Sequence, residues 1–303
     1  MTNEGFEYRE RLGPESAGKD LLGYLRGRYP HSTAAQWRER IVSGLVLLDG
    51  RKADIVSPLS PGQVLTWQRP PWVEPEAPTS FATLYEDEDL LAAAKPAGLP
   101  VLPGAGYLRN TLLSLVRRRF PGASPLHRLG RWTSGVVLFA RTRQARSSLT
   151  RQWEEREVGK LYRALAVGAP GQDEFEVAAP IGPVPHPTLK TVHAASAAGK
   201  PAHSRVTVVE RRAGAFLCDV RIATGRPHQI RIHLAAAGHP LAGDPLYAPG
   251  GGLIPGTRAG PGDPGYLLHA AELRFRHPRD GRETVVPCPP PPGLAILRPA
   301  VLS

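Results

Sequence analysis

Period-two alternation of apolar and polar residues limits the fold of this chain more than any other feature of its sequence. After residue 160 the segments SRVTVVER and FLCDVRI alternate in this way, which is typical of half-buried strands, and LYRALAVG is also predicted to be a strand. Such strands favour an antiparallel sheet with water on one side. Helical spacing occurs in residues 108–120 and 142–156, without strict alternation of helix and strand. The fold class is therefore predicted to be α+β.

Three later segments are less regular. The stretch IRIHLAAAG is predicted to be a short helix or a strand-to-helix turn, and LLHAAELRFRHP to form two strands. Residues 249–265 are so rich in glycine and proline that a mobile loop is expected. If Arg231 lies on an extended segment between Ile230 and Ile232, its side chain is half buried and needs an anionic partner, from the protein or from a ligand.

A proline-rich segment predicts the domain organisation. Residues 69–79, RPPWVEPEAPT, read as a semi-rigid linker. Before it, residues 1–68 carry a helical pattern over 18–30, and a second helix is expected from a Ser32 or Thr33 cap to about Val42. A hairpin is predicted at Asp49-Gly50. Residues 80–303 are predicted to form the second, larger domain.

The charge of the chain points to a polyanionic partner. Lysine and arginine number 38 against 27 acidic residues, giving a net charge of +11, and only six of the basic residues are lysines. A field of this sign attracts phosphate backbones or anionic membranes, and arginine pairs with phosphate and stacks on bases. No apolar run reaches the roughly 18–20 residues that span a bilayer, so no membrane partner is expected.

The cysteines and the N-terminus predict the compartment. Two cysteines, Cys218 and Cys288, provide neither a disulfide framework nor a metal-ligand pattern. The segment MTNEGFEYRE is not a secretory signal. We expect a cytoplasmic, bacterial protein with reduced thiols.

Polar residues that could carry chemistry cluster in three blocks: residues 127–134, 160–162 and 225–233. Other chemistries fit them poorly. His228 and His233 are five residues apart rather than at the i, i+4 spacing of a helical zinc pair. Ser134 lies outside any G-x-S-x-G motif. The sequence contains no P-loop and no G-x-G-x-x-G motif, so neither a metal nor a nucleotide cofactor is expected.

Five ordered blocks over about residues 80–290 resemble the RluA-type RNA pseudouridine synthases. They are LYEDEDLLAAAKPAGLPVLPG, HRLGRWTSGVVLFART, KLYRALAVG, TGRPHQIRIHLAAAGHPLAGDPLY and LLHAAELRFRHP. Residues 18–68 resemble, more weakly, the alpha-L RNA-binding module that often precedes this domain. The resemblance implies a central mixed, mostly antiparallel sheet with flanking helices and a basic cleft. It also implies a cofactor-free reaction that flips a uridine out of RNA and rejoins its base to the sugar through carbon 5.

The resemblance also implies roles for individual residues. Tyr162 matches the tyrosine that stacks on the target base, and Arg231 matches the arginine that pairs with the catalytic carboxylate. Arg128 matches the arginine that reaches the flipped nucleotide, and Leu234 the aliphatic residue under the base. The residues expected to contact the base or the RNA are His127, Arg128, Arg131, Leu234, Arg226 and His228. The expected partner is ribosomal or transfer RNA, bound by a monomer with no obligate protein partner.

One position departs from the pattern of the family. Gly130 stands where the resemblance places the catalytic aspartate, and glycine has no side-chain oxygen to react with the sugar. Two readings remain open: a carboxylate from elsewhere fills the site, or the protein binds RNA without modifying it. The candidate carboxylates are those of Asp244, Asp87, Asp89 and Asp219. The neighbouring Trp132 is either a core residue or a stacking platform for RNA.

Overall fold

The computed structural model describes residues 2–297, and the chain divides into two compact units after residue 74. The division lies within the proline-rich segment, but that segment is not a separate linker. Strand β4 of the first unit extends to Arg69, and the Asn3 amide donates to the Trp72 carbonyl at 3.0 Å. On the other side of the division, the Asn110 side chain donates to the Pro75 carbonyl at 3.1 Å.

The first unit is a four-stranded antiparallel sheet, in the order β1-β4-β2-β3, packed against two helices. Its elements are β1 (Phe6–Arg11), α1 (Leu21–Arg28), α2 (Ala34–Val42), β2 (Val46–Leu48), β3 (Arg51–Lys52) and β4 (Val64–Arg69). Both predicted helices are present. Strand β1 was not predicted, because five of its six residues are exposed and it carries no buried apolar face.

Local signals explain where the elements of this unit begin and turn. The Asp20 side chain accepts from the Gly23 amide at the start of α1, and Thr33 with Gln36 forms a capping box at the start of α2. Asp49 and Gly50 have φ angles of 48° and 78°, as the predicted two-residue hairpin turn requires.

The second unit is built on one ten-stranded sheet. Its strands are β5 (Ala82–Glu86), β6 (Leu90–Lys95), β7 (Ser124–Pro125), β8 (Ser134–Ala140), β9 (Gly159–Val167), β10 (Glu174–Val177), β13 (Ser204–Arg212), β14 (Ala215–Ile222), β15 (Leu268–Arg276) and β16 (Glu283–Pro287), while β11 (Ile181–His186) and β12 (Lys190–Ala195) form a separate hairpin. The main path runs β10-β13-β14-β9-β15-β8-β6-β5. Within the described residues 2–297, the β8–β15 pairing is the one parallel pairing in this sheet. The prediction of an α+β fold with a mixed, mostly antiparallel sheet is confirmed.

Three helices flank this sheet: α3 (Leu112–Arg119), α4 (Arg143–Glu154) and α5 (Gln229–Ala236). Helices α3 and α4 pack against β6 and β8 through buried leucine, valine and alanine side chains. Within residues 2–297, no helix combines the length and the apolar character needed to cross a bilayer.

One local prediction for this unit was wrong, and for another segment the structure decides between two predicted alternatives. LLHAAELRFRHP forms one strand, β15, rather than two, since a register shift between Ala270 and Glu272 bends the strand without ending it. Residues 229–236 form a helix, which is one of the two alternatives predicted for this stretch, so Arg231 does not lie on an extended segment. Seven consecutive residues from Gln229 to Ala235 are buried, so the segment lacks the one-sided pattern that identifies a surface helix.

Candidate functional site

The parallel pairing of β8 and β15 sets the geometry of the candidate site. Ser134 pairs with His269 and Gly135 with Ala270, so the segments that precede these two strands lie side by side. Gly135 makes this pairing possible, because its φ is 116° and a Cβ there would collide with the Ala270 backbone. The turn at Gly130 therefore lies beside Tyr266.

A buried lysine hydrogen-bonds to the backbone of the Gly130 turn. The Thr133 amide donates to the Gly130 carbonyl at 3.1 Å. Lys95, which is 1% exposed, donates through Nζ to the carbonyls of Pro96, Leu99 and Arg131 at 2.7–2.9 Å. Burial lowers the pKa of Lys95 to about 7. These three hydrogen bonds tie the turn to the end of β6.

Helix α5 places Arg231 in a bidentate ion pair with Asp244. Nε donates to Oδ2 at 2.7 Å and Nη2 to Oδ1 at 2.8 Å, with both side chains almost fully buried. The remaining nitrogen, Nη1, donates to the Pro261 carbonyl at 3.0 Å. Arg231 is thus buried rather than half buried, and its anionic partner is a protein carboxylate.

Aromatic rings cover this ion pair. The Arg231 guanidinium lies 4.1 Å from the centre of the Tyr266 ring and 5.0 Å from that of Tyr247. Burial opposes the charge of Arg231, but the hydrogen bonds and the charge of Asp244 outweigh it, so the pKa of Arg231 is raised. Asp244 Oδ1 also accepts from the Leu246 amide at 2.9 Å. Both oxygens of Asp244 are therefore engaged within the protein.

The space beside Gly130 contains hydroxyl groups. A Cβ built on Gly130 would lie 3.1 Å from Tyr266 Oη and 3.4 Å from Thr133 Oγ1. Among residues 2–297, no carboxylate oxygen lies within 4 Å of that point. Asp87, Asp89 and Asp219 are engaged elsewhere: the first two with His277 and Arg279, and the third with Arg163.

A cavity of about 440 Å³ is lined by His127 and Arg128, which precede the turn in sequence. Its cationic side chains are those of Arg128, Arg156, Lys160 and Arg226. Tyr162 and Trp153 supply aromatic surface. Burial raises the pKa of Tyr162 to about 12, so its ring is neutral near pH 7. The cavity therefore combines positive charge with flat apolar surface.

The two predicted histidines are held by hydrogen bonds within the protein. Nε2 of His127 accepts from the Leu138 amide at 3.0 Å, and its ring stacks on Trp153. Burial and the charge of Lys160 lower the pKa of His127 to about 3. Nδ1 of His228 lies 2.7 Å from Tyr247 Oη. That hydroxyl donates to a backbone carbonyl, so Nδ1 of His228 is the donor.

The glycine-rich segment 249–265 packs on the site, contrary to the prediction of a mobile loop. Arg131 donates through Nη2 to the Gly262 carbonyl and through Nη1 to Tyr107 Oη, both at 2.8 Å. With the bond from Arg231 to Pro261, two guanidinium groups fasten this segment through its backbone carbonyls.

The predicted base-stacking residues share one apolar cluster. Leu234 is fully buried in it, and Tyr162 and Trp132 pack against it. Tyr266, which the sequence analysis did not single out, belongs to the same cluster. Lys95 was also missed as a site residue, although it lies within the first of the five blocks, LYEDEDLLAAAKPAGLPVLPG. Trp132 is half buried, so it contributes to the packing around the cluster.

Comparisons with known proteins agree on one family. A family model described as RNA pseudouridylate synthase matches residues 89–236. An uncharacterized RNA pseudouridine synthase of Synechocystis sp. is 44% identical over 90% of this chain and 95% of its own length. The ribosomal large subunit pseudouridine synthase D of Nitrosomonas europaea is 38% identical over 72% of this chain and 64% of its own.

A solved structure agrees with these similarities in sequence. The human RNA pseudouridylate synthase domain containing 1 matches with a TM-score of 0.56 and 27% identity, over 74% of this chain and 89% of that chain. The chain therefore belongs to the RNA pseudouridine synthase family.

Proposed function

We propose that this chain isomerises uridine to pseudouridine in ribosomal RNA, as a cytoplasmic monomer that needs no obligate protein partner. The cavity between Arg128 and Tyr162 carries the proposal, because it offers cations for phosphates beside an aromatic ring for a base. The similarity to the ribosomal enzyme of Nitrosomonas europaea supports ribosomal over transfer RNA. The net charge of +11 supports attraction to either RNA.

Different residues in and around the cavity would bind different parts of the RNA. Tyr162 stacks on the extruded base, and the buried Leu234 supports the cluster against which Tyr162 packs. Arg128, which is exposed at the rim, contacts the flipped nucleotide, and Arg226 contacts a neighbouring phosphate. Arg231 does not touch the substrate. It is a positioning residue, which with Asp244 fixes α5 and the segment that contains Pro261.

The first unit would add affinity for RNA as an alpha-L-like module. Of its four helical arginines, Arg26, Arg28 and Arg38 are exposed. Arg28 pairs with Glu10 at 3.2 Å, so Arg26 and Arg38 are the proposed phosphate contacts. Arg40 lies between the rings of Trp37 and Trp67, 4.5 Å from each, and is a packing residue.

A second function is favoured by one observation: no carboxylate lies beside Gly130 within residues 2–297. The chain would then bind RNA through the same cavity without modifying it. Because binding would persist and pseudouridine would be absent, one experiment separates the two functions.

The test is deletion of the gene, followed by mapping of pseudouridines in ribosomal and transfer RNA through carbodiimide-induced stops. We expect the loss of one or more ribosomal sites, restored by the wild-type gene and by Tyr162→Phe, which keeps the stacking ring, but not by Tyr162→Ala. A site lost only from transfer RNA would contradict the proposed substrate. No lost site, with salt-dependent RNA binding intact, would establish the non-catalytic function.

A further inference from the structure

We propose that the hydroxyl of Tyr266 acts on the ribose of the target nucleotide in place of a side-chain oxygen at residue 130. This inference rests on the proposed function, because it assigns a group to the reaction at the same site. It concerns a residue outside both the matched family model, which ends at residue 236, and the motifs on which the resemblance was based.

The Tyr266 hydroxyl lies next to the place that a side chain at residue 130 would occupy. Tyr266 Oη lies 3.1 Å from the point where a side chain at residue 130 would begin. The residue is 5% exposed, whereas Gly130 is exposed. Among the described residues, apart from residue 130 and its two chain neighbours, only Tyr266 Oη and Thr133 Oγ1 lie within 4 Å of that point, so the phenol oxygen borders the space that a side chain at residue 130 would fill. Any larger residue at position 130 would have to displace Tyr266 or cover its hydroxyl.

The hydroxyl of Tyr266 makes only a long hydrogen bond within the described residues. Its hydrogen-bond partner among residues 2–297 is Thr133 Oγ1 at 3.4 Å, which is long for a bond between two hydroxyl groups. A buried tyrosine hydroxyl usually has a good partner. Tyr266 Oη is thus held in place by its ring, while its hydrogen-bonding capacity remains available to a ligand.

A positively charged group lies against the ring of Tyr266. The Arg231 guanidinium lies 4.1 Å from the centre of the Tyr266 ring, and Arg231 is itself fixed by Asp244. The ion pair as a whole is neutral, but its cationic end lies against the Tyr266 ring, where it stabilises negative charge that develops on the phenol. Burial of Arg231 strengthens the effect, because the surroundings exclude water.

The reaction can be written with all atoms and electrons accounted for. Tyr266 Oη attacks C1′ of the uridine, the C1′–N1 bond breaks, and its electron pair leaves with the uracil, which takes the phenol proton. The uracil turns, C5 attacks C1′, and the Oη–C1′ bond breaks to give a phenolate. The phenolate then takes the hydrogen of C5 as a proton, which restores the phenol and leaves pseudouridine. Tyrosine is a known nucleophile at an anomeric carbon in sialidases.

Release of tritium from RNA that carries [5-³H]uridine tests this role, because the hydrogen of C5 is lost in the last step. We compare the wild-type chain with Tyr266→Phe, which removes one oxygen atom and keeps the ring over Arg231. We expect kcat to fall by about 10³-fold or more, with RNA affinity and melting temperature unchanged. The control is Tyr85→Phe, which removes a phenol oxygen bonded to Asp87 at 2.6 Å in a different part of this unit, and which should release tritium at the wild-type rate.

The outcomes separate the two proposals. Wild-type release together with equal release by Tyr266→Phe overturns the role of Tyr266 and leaves the proposed function standing. No release by the wild-type chain on any ribosomal or transfer RNA overturns the proposed function, and the role of Tyr266 with it.

Discussion

The buried ion pair between Arg231 and Asp244 allows a quantitative test of how the site is held together. The change Asp244→Asn keeps the size of the side chain but removes its charge. Arg231, which is 2% exposed, would then carry a positive charge with no anion bonded to it.

The magnitude follows from burial and from the number of bonds. Two charge-assisted hydrogen bonds, at 2.7 and 2.8 Å, are weakened, and an uncompensated charge remains in the interior. Removing one partner of a buried pair costs about 3–5 kcal/mol. In a unit of this size each kcal/mol lowers Tm by about 2–4 °C, so Asp244→Asn should lower the Tm of the second unit by about 6–20 °C.

The assay is scanning calorimetry at pH 7, with Asp173→Asn as the matched control. Asp173 also pairs with an arginine, Arg211, but the two side chains are 75% and 48% exposed. Water screens such a pair, and its loss should lower Tm by less than about 2 °C. A similarly small change for Asp244→Asn would refute the reasoning that this pair anchors the site.

Two further predictions concern Lys95, which bonds to the Gly130 turn, and His127, which lines the cavity. Lys95→Met leaves three carbonyls without their donor. Because each unsatisfied buried carbonyl costs about 1–3 kcal/mol, Tm should fall clearly, whereas Lys52→Met at an exposed position should change Tm little. A gain in stability for Lys95→Met would contradict this prediction. The pKa of His127 is about 3 in the folded chain and about 6.5 in the unfolded chain. Between about pH 3 and pH 6.5 the unfolded chain therefore binds more protons at this residue, so the stability of the folded chain falls as the pH is lowered. Thermal melts should show the wild type losing more stability than His127→Gln between pH 7 and pH 5, and a difference that does not change with pH would contradict the prediction.

Local signals predicted much of the fold. Thr33, Thr142 and the Asp49-Gly50 turn mark where elements begin or reverse, because capping and turn chemistry act within a few residues. Period-two alternation identified β13 and β14, because alternate residues such as Phe216, Cys218 and Val220 belong to one apolar cluster. Helix α5 was predicted only as one of two alternatives, because a helix buried on nearly all sides has no polar stripe.

The candidate site was only partly predictable, since its contacts join distant parts of the chain. The motif residues Tyr162, Arg231 and Leu234 could be named from the sequence, and Asp244 was one of four carboxylates that the sequence could not tell apart. Tyr266 could not be identified, because its place beside Gly130 depends on the parallel pairing of β8 with β15. A single parallel pair in a mostly antiparallel sheet leaves no local pattern to detect.

Direct measurement of the product tests the central claim. The purified chain would be incubated with large-subunit ribosomal RNA transcribed without modifications, and the RNA digested to nucleosides for quantification of pseudouridine by chromatography. We expect at least one mole of pseudouridine for each mole of RNA, and none with heat-denatured protein. RNA that is bound by the intact chain but contains no pseudouridine after incubation would contradict the claim that the cavity lined by Arg128 and Tyr162 is an active site.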